Sequence, residues 1–190
     1  MYHIKEDKRS KTSSAMIYHA LVRRLREKPF HEITITEILL ESTVSRATFY
    51  RAFDKKIDIL RMKCDADFAR YYESFNTAYK EQPPQEKDML LFFFEYWYQH
   101  REILFILEKI NRGDIIQDAF IKTSPIFEKE YMKEMDYDPV AHNYYIASRA
   151  GEISSVLMTW CRNQMRHKPE QMVDYMWRNI RIAREKTFIS

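Results

Sequence analysis

The 190-residue chain is predicted to be all-α, with about nine helices. It contains only 2 glycines, and no run of alternating Val, Ile and Thr residues suggests a sheet. Apolar residues instead recur three and four positions apart within long stretches of helix formers, the pattern of amphipathic helices. The length allows a substantial core, in one domain or in two small ones.

The first helix is predicted over residues 10–28, after a polar start that reads as an arm or a frayed end. Pro29 ends this helix because proline cannot continue a helical hydrogen-bond ladder. The apolar stripe that the helix buries consists of Ile17, Ala20, Leu21 and Leu25. Phe30 and Ile33 are expected to pack beneath the two short helices that follow.

Those two helices are predicted within TITEILLESTVSRATFYRAFDKK, which begins at Thr34. Thr34 is a favourable N-cap, and Glu37 lies at the spacing of a capping box. Ser45 caps the second helix. Phe49 and Phe53 are four residues apart and therefore share one buried face.

Polar side chains occupy the opposite side of the second helix: Arg46, Thr48, Tyr50 and Arg51. A short helix with an apolar back and an Arg, Thr and Tyr front suits the major groove of DNA. The pattern therefore predicts a helix-turn-helix unit.

This stretch resembles the recognition helix of the TetR family of transcriptional regulators, which carries S-x-x-T-[LF]-Y-x-x-F and then a Lys three residues later. The matching residues are Ser45, Thr48, Phe49, Tyr50, Phe53 and Lys56. The resemblance covers roughly the first sixty residues and implies a DNA-binding regulator. It also implies a homodimer formed through residues 138–165 and 169–187, which would read a palindromic operator in double-stranded DNA.

One departure from the family pattern lies at the turn. The family usually has Ala-Gly there, whereas this chain has Ser42-Thr43. A β-branched residue is disfavoured at positive φ. We therefore expect either a strained Thr43 or an altered turn.

The expected DNA contacts divide into two groups. Arg46 and Arg51 are expected to read base edges, because Arg can bond guanine O6 and N7 together. Thr36 and Ala47 are expected to add contacts to bases. Phosphate contacts, which set the register without reading sequence, are expected from Thr34, Ser45, Thr48, Tyr50 and Lys56, with Lys55 as a weaker member.

The chain is predicted to divide into a DNA-binding domain, residues 1–56, and a ligand-binding and dimerisation bundle, residues 57–190. A long fourth helix, capped by Asp54, would join them as a lever. Five helical segments are predicted to follow. They cover 85–100, 101–110, 114–135 (kinked or divided at Pro125), a segment starting at Pro139 and a segment starting at Pro169.

Aromatic residues make up 15% of the chain and suggest a pocket in the second domain for a small apolar or aromatic effector. The expected lining is Phe93, Trp97, Phe105, Tyr131 and Tyr145. Aromatic stripes at helical spacing also form ordinary core, so both interpretations stay open.

No cofactor, metal or catalytic activity is expected. The 6 histidines show no HExxH spacing, and there is no Gly-rich phosphate loop and no GxSxG. No apolar stretch is long enough for a membrane span, and no signal-peptide pattern is seen. The two cysteines, Cys64 and Cys161, lack metal or redox spacing, so a cytoplasmic location is expected.

The charge distribution agrees with DNA binding. Residues 1–62 hold 13 Lys and Arg residues against 8 Asp and Glu residues, although the whole chain is only +3. Together, the resemblance to the TetR family and the expected pocket imply a repressor that a small molecule releases from DNA. Two alternatives stay open: a helical protein-interaction module, and a DNA-binding regulator signalled by a partner protein.

Overall fold

A computed structural model describes the backbone of residues 1–5, 7–131 and 138–187, and the side chains of 1–5, 7–125 and 138–178. The described chain is all-α, as predicted. Its helices are α1 Lys8–Glu27, α2 Ile35–Ser42, α3 Arg46–Ala52, α4 Ile57–Ala78, α5 Glu86–Gln99, α6 Glu102–Lys109, α7 Asp114–Tyr131, α8 Pro139–Arg162 and α9 Pro169–Thr187. A 3-10 turn, Phe30–Glu32, links α1 to α2.

Helix α1 is the support on which α2 and α3 rest. Asp7 caps it by accepting a hydrogen bond from the Ser10 N–H at 2.8 Å. Its four predicted apolar residues are all buried. Arg23 and Arg24 reach across to the Glu41 carboxylate of α2 at 2.5 and 2.9 Å. Basic residues on this side of the unit are therefore neutralised within the protein.

The start of α4 differs from the prediction, because Asp54 does not cap it. The Asp58 carboxylate instead accepts a hydrogen bond from the Lys55 N–H at 3.0 Å, within the first turn. Asp54 accepts hydrogen bonds from the Met1 ammonium group at 3.0 Å, and its other oxygen lies 3.3 Å from the His3 ring. The prediction missed this because it gave the first residues no fixed position.

The remaining helices form a bundle in which α4 packs on α7, α7 on α8, and α5 on α9. The sequence predicted that Pro125 kinks or divides this segment. A division is wrong, because α7 is continuous through that residue. Proline removes the N–H that would serve the Ile121 carbonyl. The Ser124 hydroxyl donates to that carbonyl at 3.2 Å and so replaces the missing bond. Residues 132–135, the end of the predicted segment, lie outside the described residues.

The turn between α6 and α7 approaches α8 closely at Gly113. The Ser154 hydroxyl donates to the Gly113 carbonyl at 2.8 Å. A Cβ atom at Gly113 would lie only 3.1 Å from Cγ of Met158. The left-handed residue of this turn is Asn111, with φ 54°. Glycine is therefore favoured here by the limited space rather than by its conformation.

Candidate nucleic-acid interface and ligand cavity

A capping box fixes helix α2. The Thr34 hydroxyl accepts from the Glu37 N–H at 3.2 Å, and the Glu37 carboxylate accepts from both the Thr34 N–H and its hydroxyl at 2.8 Å. Lys28 donates to the other Glu37 oxygen at 2.5 Å. The Lys28 ammonium and the Thr34 bonds lower the pKa of Glu37 to about 2. The Thr34 hydroxyl is thus engaged in the fold, which leaves it poorly placed for the phosphate contact expected of it.

The turn between α2 and α3 keeps helix-turn-helix geometry with an unusual residue. Thr43 has φ 56° and ψ 21°, the left-handed region that β-branched residues avoid. The Ser42 side chain is buried, and its hydroxyl accepts from the Val44 N–H at 3.4 Å. Of the two expected outcomes, a strained Thr43 is the one found.

Helix α3 presents its predicted apolar back to the core. Phe49 and Phe53 are fully buried, with ring centroids 5.6 Å apart. Ser45 caps the helix by accepting from the Thr48 N–H at 3.2 Å, and its hydroxyl also lies 3.0 Å from the Thr48 hydroxyl. The buried rings and the cap together fix which side of α3 faces outward.

The outward side of α3 is formed by four exposed residues, Arg46, Ala47, Tyr50 and Arg51, which we call the front face. The Arg46 guanidinium donates to the Thr36 hydroxyl of α2 at 3.0 Å. The structure therefore brings together the residues expected to contact bases. Arg51 points toward Thr48, with a separation of 3.4 Å between Nη2 and the hydroxyl.

The two lysines that follow α3 have different surroundings. The Lys56 ammonium donates to the carbonyls of Phe30, His31 and Ile33 at 2.6, 3.1 and 2.6 Å. An ammonium has three donors, so all of them are used. Burial, followed by the nearby Lys28 charge, lowers the pKa of Lys56. Lys56 thus ties the 3-10 turn to the start of α4, which argues against the phosphate role expected of it, whereas the Lys55 side chain is exposed.

The two arginines of the front face, and Lys55 after the end of α3, have no counterions within the described part of the chain. Arg46 and Arg51 bond only to threonine hydroxyls, and Lys55 has no carboxylate partner. The basic residues on the back of the unit are, by contrast, paired with Glu37 and Glu41. Exposed cations without counterions form a positive surface suited to phosphate and base acceptors.

A cavity of about 420 Å³ lies in the bundle, bounded by α4, α5, α7, α8 and α9. Aromatic rings dominate its wall, which includes Phe68, Tyr71, Phe93, Phe120, Tyr145 and Trp177. The charged and aliphatic polar residues of the wall are few: the Arg149–Glu152 ion pair, Glu86 and Ser124. Size and lining match a site for a small, largely apolar molecule.

The predicted lining residues are distributed differently from the expectation. Phe93 and Tyr145 border the cavity. Trp97 is fully buried in the core, with its ring centroid 4.7 Å from that of Phe68, and does not reach the cavity. Phe105 packs on the core from α6, also away from the cavity. The Tyr131 side chain lies outside the described residues.

The sequence did not predict the contributions of α4 and α9 to the cavity, nor that of Phe120 on α7. Phe68, Tyr71 and Trp177 were not among the residues expected to line it. Phe120 carried no signal at all. Only the packing of five helices brings these residues to one space.

Other kinds of site are not seen in the regions described. No group of three or more His, Cys, Asp or Glu side chains there is arranged to hold a metal ion. Cys64 and Cys161 are free and buried, and burial raises the pKa of both thiols. No helix among the described residues is long and apolar enough to cross a membrane.

No protein-family model and no curated protein sequence matches the chain. Solved structures do match it. Lin0861 from Listeria innocua has a TM-score of 0.78 at 15% identity, with 95% of this chain and 96% of that chain covered. A putative TetR-family transcriptional regulator from Syntrophomonas wolfei has a TM-score of 0.58 at 16% identity, covering 87% and 91%.

A TetR transcriptional regulator from Streptococcus agalactiae gives similar values: a TM-score of 0.55, 16% identity, and coverage of 87% and 91%. Two of these three proteins are named as transcriptional regulators and none as an enzyme. The chain therefore has the fold of TetR-family transcriptional regulators, as its helix-turn-helix stretch suggested.

Proposed function

We propose that this protein is a DNA-binding transcriptional regulator that acts as a homodimer on a palindromic operator in double-stranded DNA. The observation that supports this best is the front face of α3. Its arginines are exposed and have no counterion among the residues that the structure describes, while Phe49 and Phe53 fix the orientation of the helix from behind. A helix presented in this way fits the major groove. Such a role places the protein in the cytoplasm with the DNA.

Within the interface, Arg46 is proposed to read a base pair, assisted by Thr36 and Ala47. Its guanidinium is already held by the Thr36 hydroxyl at 3.0 Å, which limits the entropy cost of binding. Tyr50, Lys55 and the hydroxyl of Thr48 are proposed to contact phosphates. Thr34, Ser45 and Lys56 are proposed to act through the fold instead, because the Ser45 hydroxyl, like that of Thr34, both accepts and donates at its own helix start.

The homodimer is proposed to form through α8 and α9. Val140 and Tyr144 on α8 are 61% and 75% exposed, and Tyr175 on α9 is 45% exposed. These side chains are large and apolar enough to favour burial against a second copy. Met172 and Trp177 of α9 are, by contrast, partly covered within the monomer, where α9 packs on α5.

A small apolar or aromatic effector is proposed to bind the cavity and release the protein from DNA, which makes it a repressor. Helix α4 begins directly after the helix-turn-helix unit and carries Phe68 and Tyr71 in the cavity wall. Its 22 residues span about 33 Å. An effector that favours one position of α4 changes the separation of the two recognition helices. Because the bundle contains this cavity, we favour a small molecule over a partner protein as the signal.

Selection from random double-stranded DNA with the full-length protein tests the proposal. We expect an inverted repeat whose half-sites are about one helical turn apart, centre to centre. Enrichment of a single, unrepeated site would remove the dimer model. Failure to enrich any sequence would leave a helical protein-interaction module as the better interpretation.

A further inference from the structure

The first residues of the chain form part of the unit that carries α3. Tyr2 pairs with Phe53 in an antiparallel bridge. The His3 N–H donates to the Ala52 carbonyl at 2.8 Å, and the Asp54 N–H donates to the Met1 carbonyl at 3.1 Å. Residues 1–3 therefore lie along the end of α3 in a defined register, where the sequence suggested an arm or a frayed start.

A second set of contacts fixes this segment from the other side. The Tyr2 hydroxyl donates to the Asp65 carboxylate of α4 at 2.5 Å. The Lys122 ammonium of α7 donates to the Tyr2 hydroxyl at 2.7 Å and to Asp65 at 2.5 Å, and it lies 4.6 Å from the centre of the Tyr2 ring. Asp65 is only 14% exposed. The segment is thus anchored to α3, α4 and α7 before any ligand binds.

The anchored segment completes a groove of about 280 Å³ with the start of α1 and the side of α3. Three cations line it, one from each element: Lys5, Arg9 and Arg51. None of these cations pairs with a carboxylate of the described residues. Among the described residues of the lining, Asp7 is the only acid, and its carboxylate accepts a hydrogen bond from the N–H of Ser10 at the start of α1.

The Thr48 hydroxyl of α3 provides a further donor in the same groove, because it accepts hydrogen bonds from Ser45 and Arg51 and keeps its own hydrogen available. A pocket with a surplus of cations and a hydroxyl donor suits an anion with several oxygen atoms. Because the groove lies beside the front face of α3, the anion that meets it on a bound duplex is a backbone phosphate next to the major groove.

We propose that this groove is a binding site for a DNA backbone phosphate, formed by Lys5, Arg9 and Arg51. The inference rests on the proposed DNA-binding function and extends the interface to a segment outside the helix-turn-helix. It also assigns Arg51 to the phosphate, leaving Arg46 as the arginine that reads a base. Lys5 and Arg9 are then positioning residues for the protein on DNA and carry no sequence preference.

The expected effect is on salt dependence. Each phosphate contact on duplex DNA adds about 0.9 to the slope of log affinity against log salt. Removing one of the three cations from each chain of a dimer therefore lowers the slope by at most about 1.8, because the two remaining cations still face the phosphate. Between 50 and 200 mM salt, the advantage of the wild type over such a variant shrinks by at most roughly tenfold.

The test measures the affinity of the full-length protein for its selected operator and for a scrambled duplex across that salt range. Arg9→Gln and Lys5→Gln are expected to lower the slope on both duplexes without changing which bases are preferred. Arg26→Gln is the matched control, because Arg26 is exposed on α1 at the end of that helix far from the groove. This control is expected to keep the wild-type slope. Thermal unfolding of each variant verifies that the fold is intact.

Slopes of Arg9→Gln and Lys5→Gln equal to that of Arg26→Gln, with wild-type DNA binding present, would overturn the phosphate site and leave the proposed function standing. A changed base preference would overturn it too, since the groove would then be reading sequence. If the wild-type protein itself binds no DNA, the proposed function fails and the phosphate site fails with it.

Discussion

The front face of α3 and the cavity of the bundle differ in how their side chains come together. The front face is built from neighbours in sequence: a cap, a turn and two buried rings within the stretch from Thr34 to Lys56 orient its arginines. The cavity is built from α4, α5, α7, α8 and α9, and its wall exists only after those helices pack. Local rules therefore define the first site, while long-range packing defines the second.

The largest expected effects come from removing one aromatic ring in each region. Phe49 is fully buried behind the front face, so Phe49→Ala is expected to lower the free energy of unfolding by about 3–5 kcal/mol and to abolish DNA binding. Phe93 is half-buried and borders the cavity. Phe93→Ala is expected to cost about 1–2 kcal/mol, because part of its ring already faces empty space, and to keep DNA binding.

Urea unfolding and operator binding of the two variants provide the measurement. If Phe49→Ala and Phe93→Ala lost equal amounts of stability and of operator affinity, the result would contradict the claim that the two regions are formed independently. Loss of DNA binding in Phe93→Ala alone would show that the cavity wall, rather than local structure, positions α3.

The next largest effects distinguish the roles of two adjacent lysines in the DNA-binding unit. Lys56→Ala removes the donor to three carbonyls and is expected to lower stability by about 1–3 kcal/mol, while the salt slope of DNA binding stays unchanged. Lys55→Ala is expected to do the opposite: stability is unchanged, and the salt slope falls by about one for each phosphate that the lysine no longer neutralises. Chemical denaturation and salt-dependent binding on both variants decide between these roles. A lower slope in Lys56→Ala without loss of stability would restore its phosphate role.

A smaller effect is expected at the strained turn. Thr43 has φ 56°, a conformation that costs a β-branched residue roughly 1–2 kcal/mol. Thr43→Gly is expected to raise the free energy of unfolding by up to about 1 kcal/mol, because the entropy of glycine in the unfolded chain offsets part of the relief. Thr12→Gly, in the exposed part of α1, is the control and is expected to destabilise. Destabilisation by both substitutions would show that Thr43 makes contacts worth more than its strain.

The smallest effect concerns pH and the capping box. The pKa of Glu37 falls to about 2 in the folded protein, below its ordinary value of 4.5. Its carboxylate therefore stabilises α2 fully above pH 4.5, and this contribution disappears as the pH falls toward 2. Glu37→Gln is expected to flatten the pH dependence of the melting temperature in this window. An unchanged slope would mean that the capping box and Lys28 do not stabilise the charged form.

The front face depends on local structure and the cavity on long-range packing, and this difference determined how well the sequence predicted each region. The caps at Thr34 and Ser45, the buried Phe49 and the front face were all predictable, because helix periodicity and capping act over three or four residues. Lys56 was not, since its carbonyl acceptors come from the preceding 3-10 turn. Trp97 and Phe105 were placed in the pocket because aromatic content alone cannot distinguish a cavity wall from the core.

The same contrast between the locally constrained motif and the more tolerant bundle explains why the short motif indicated the fold while no family model matches the chain. The motif residues are constrained by local geometry and by the groove they are proposed to enter. Packing in the bundle tolerates many apolar substitutions of similar volume. The solved structures of this fold accordingly share 15–16% identity with the chain.

The most direct test of the claim that the front face reads DNA is the binding profile of Arg46→Ala over a randomised duplex library, beside that of the wild type. The wild type is expected to enrich an inverted repeat. Arg46→Ala is expected to bind the same repeat about 1–3 kcal/mol more weakly and to lose preference at one base pair in each half-site. An Arg46→Ala profile identical to that of the wild type, or a wild type with no sequence preference, would contradict the claim that the front face reads DNA.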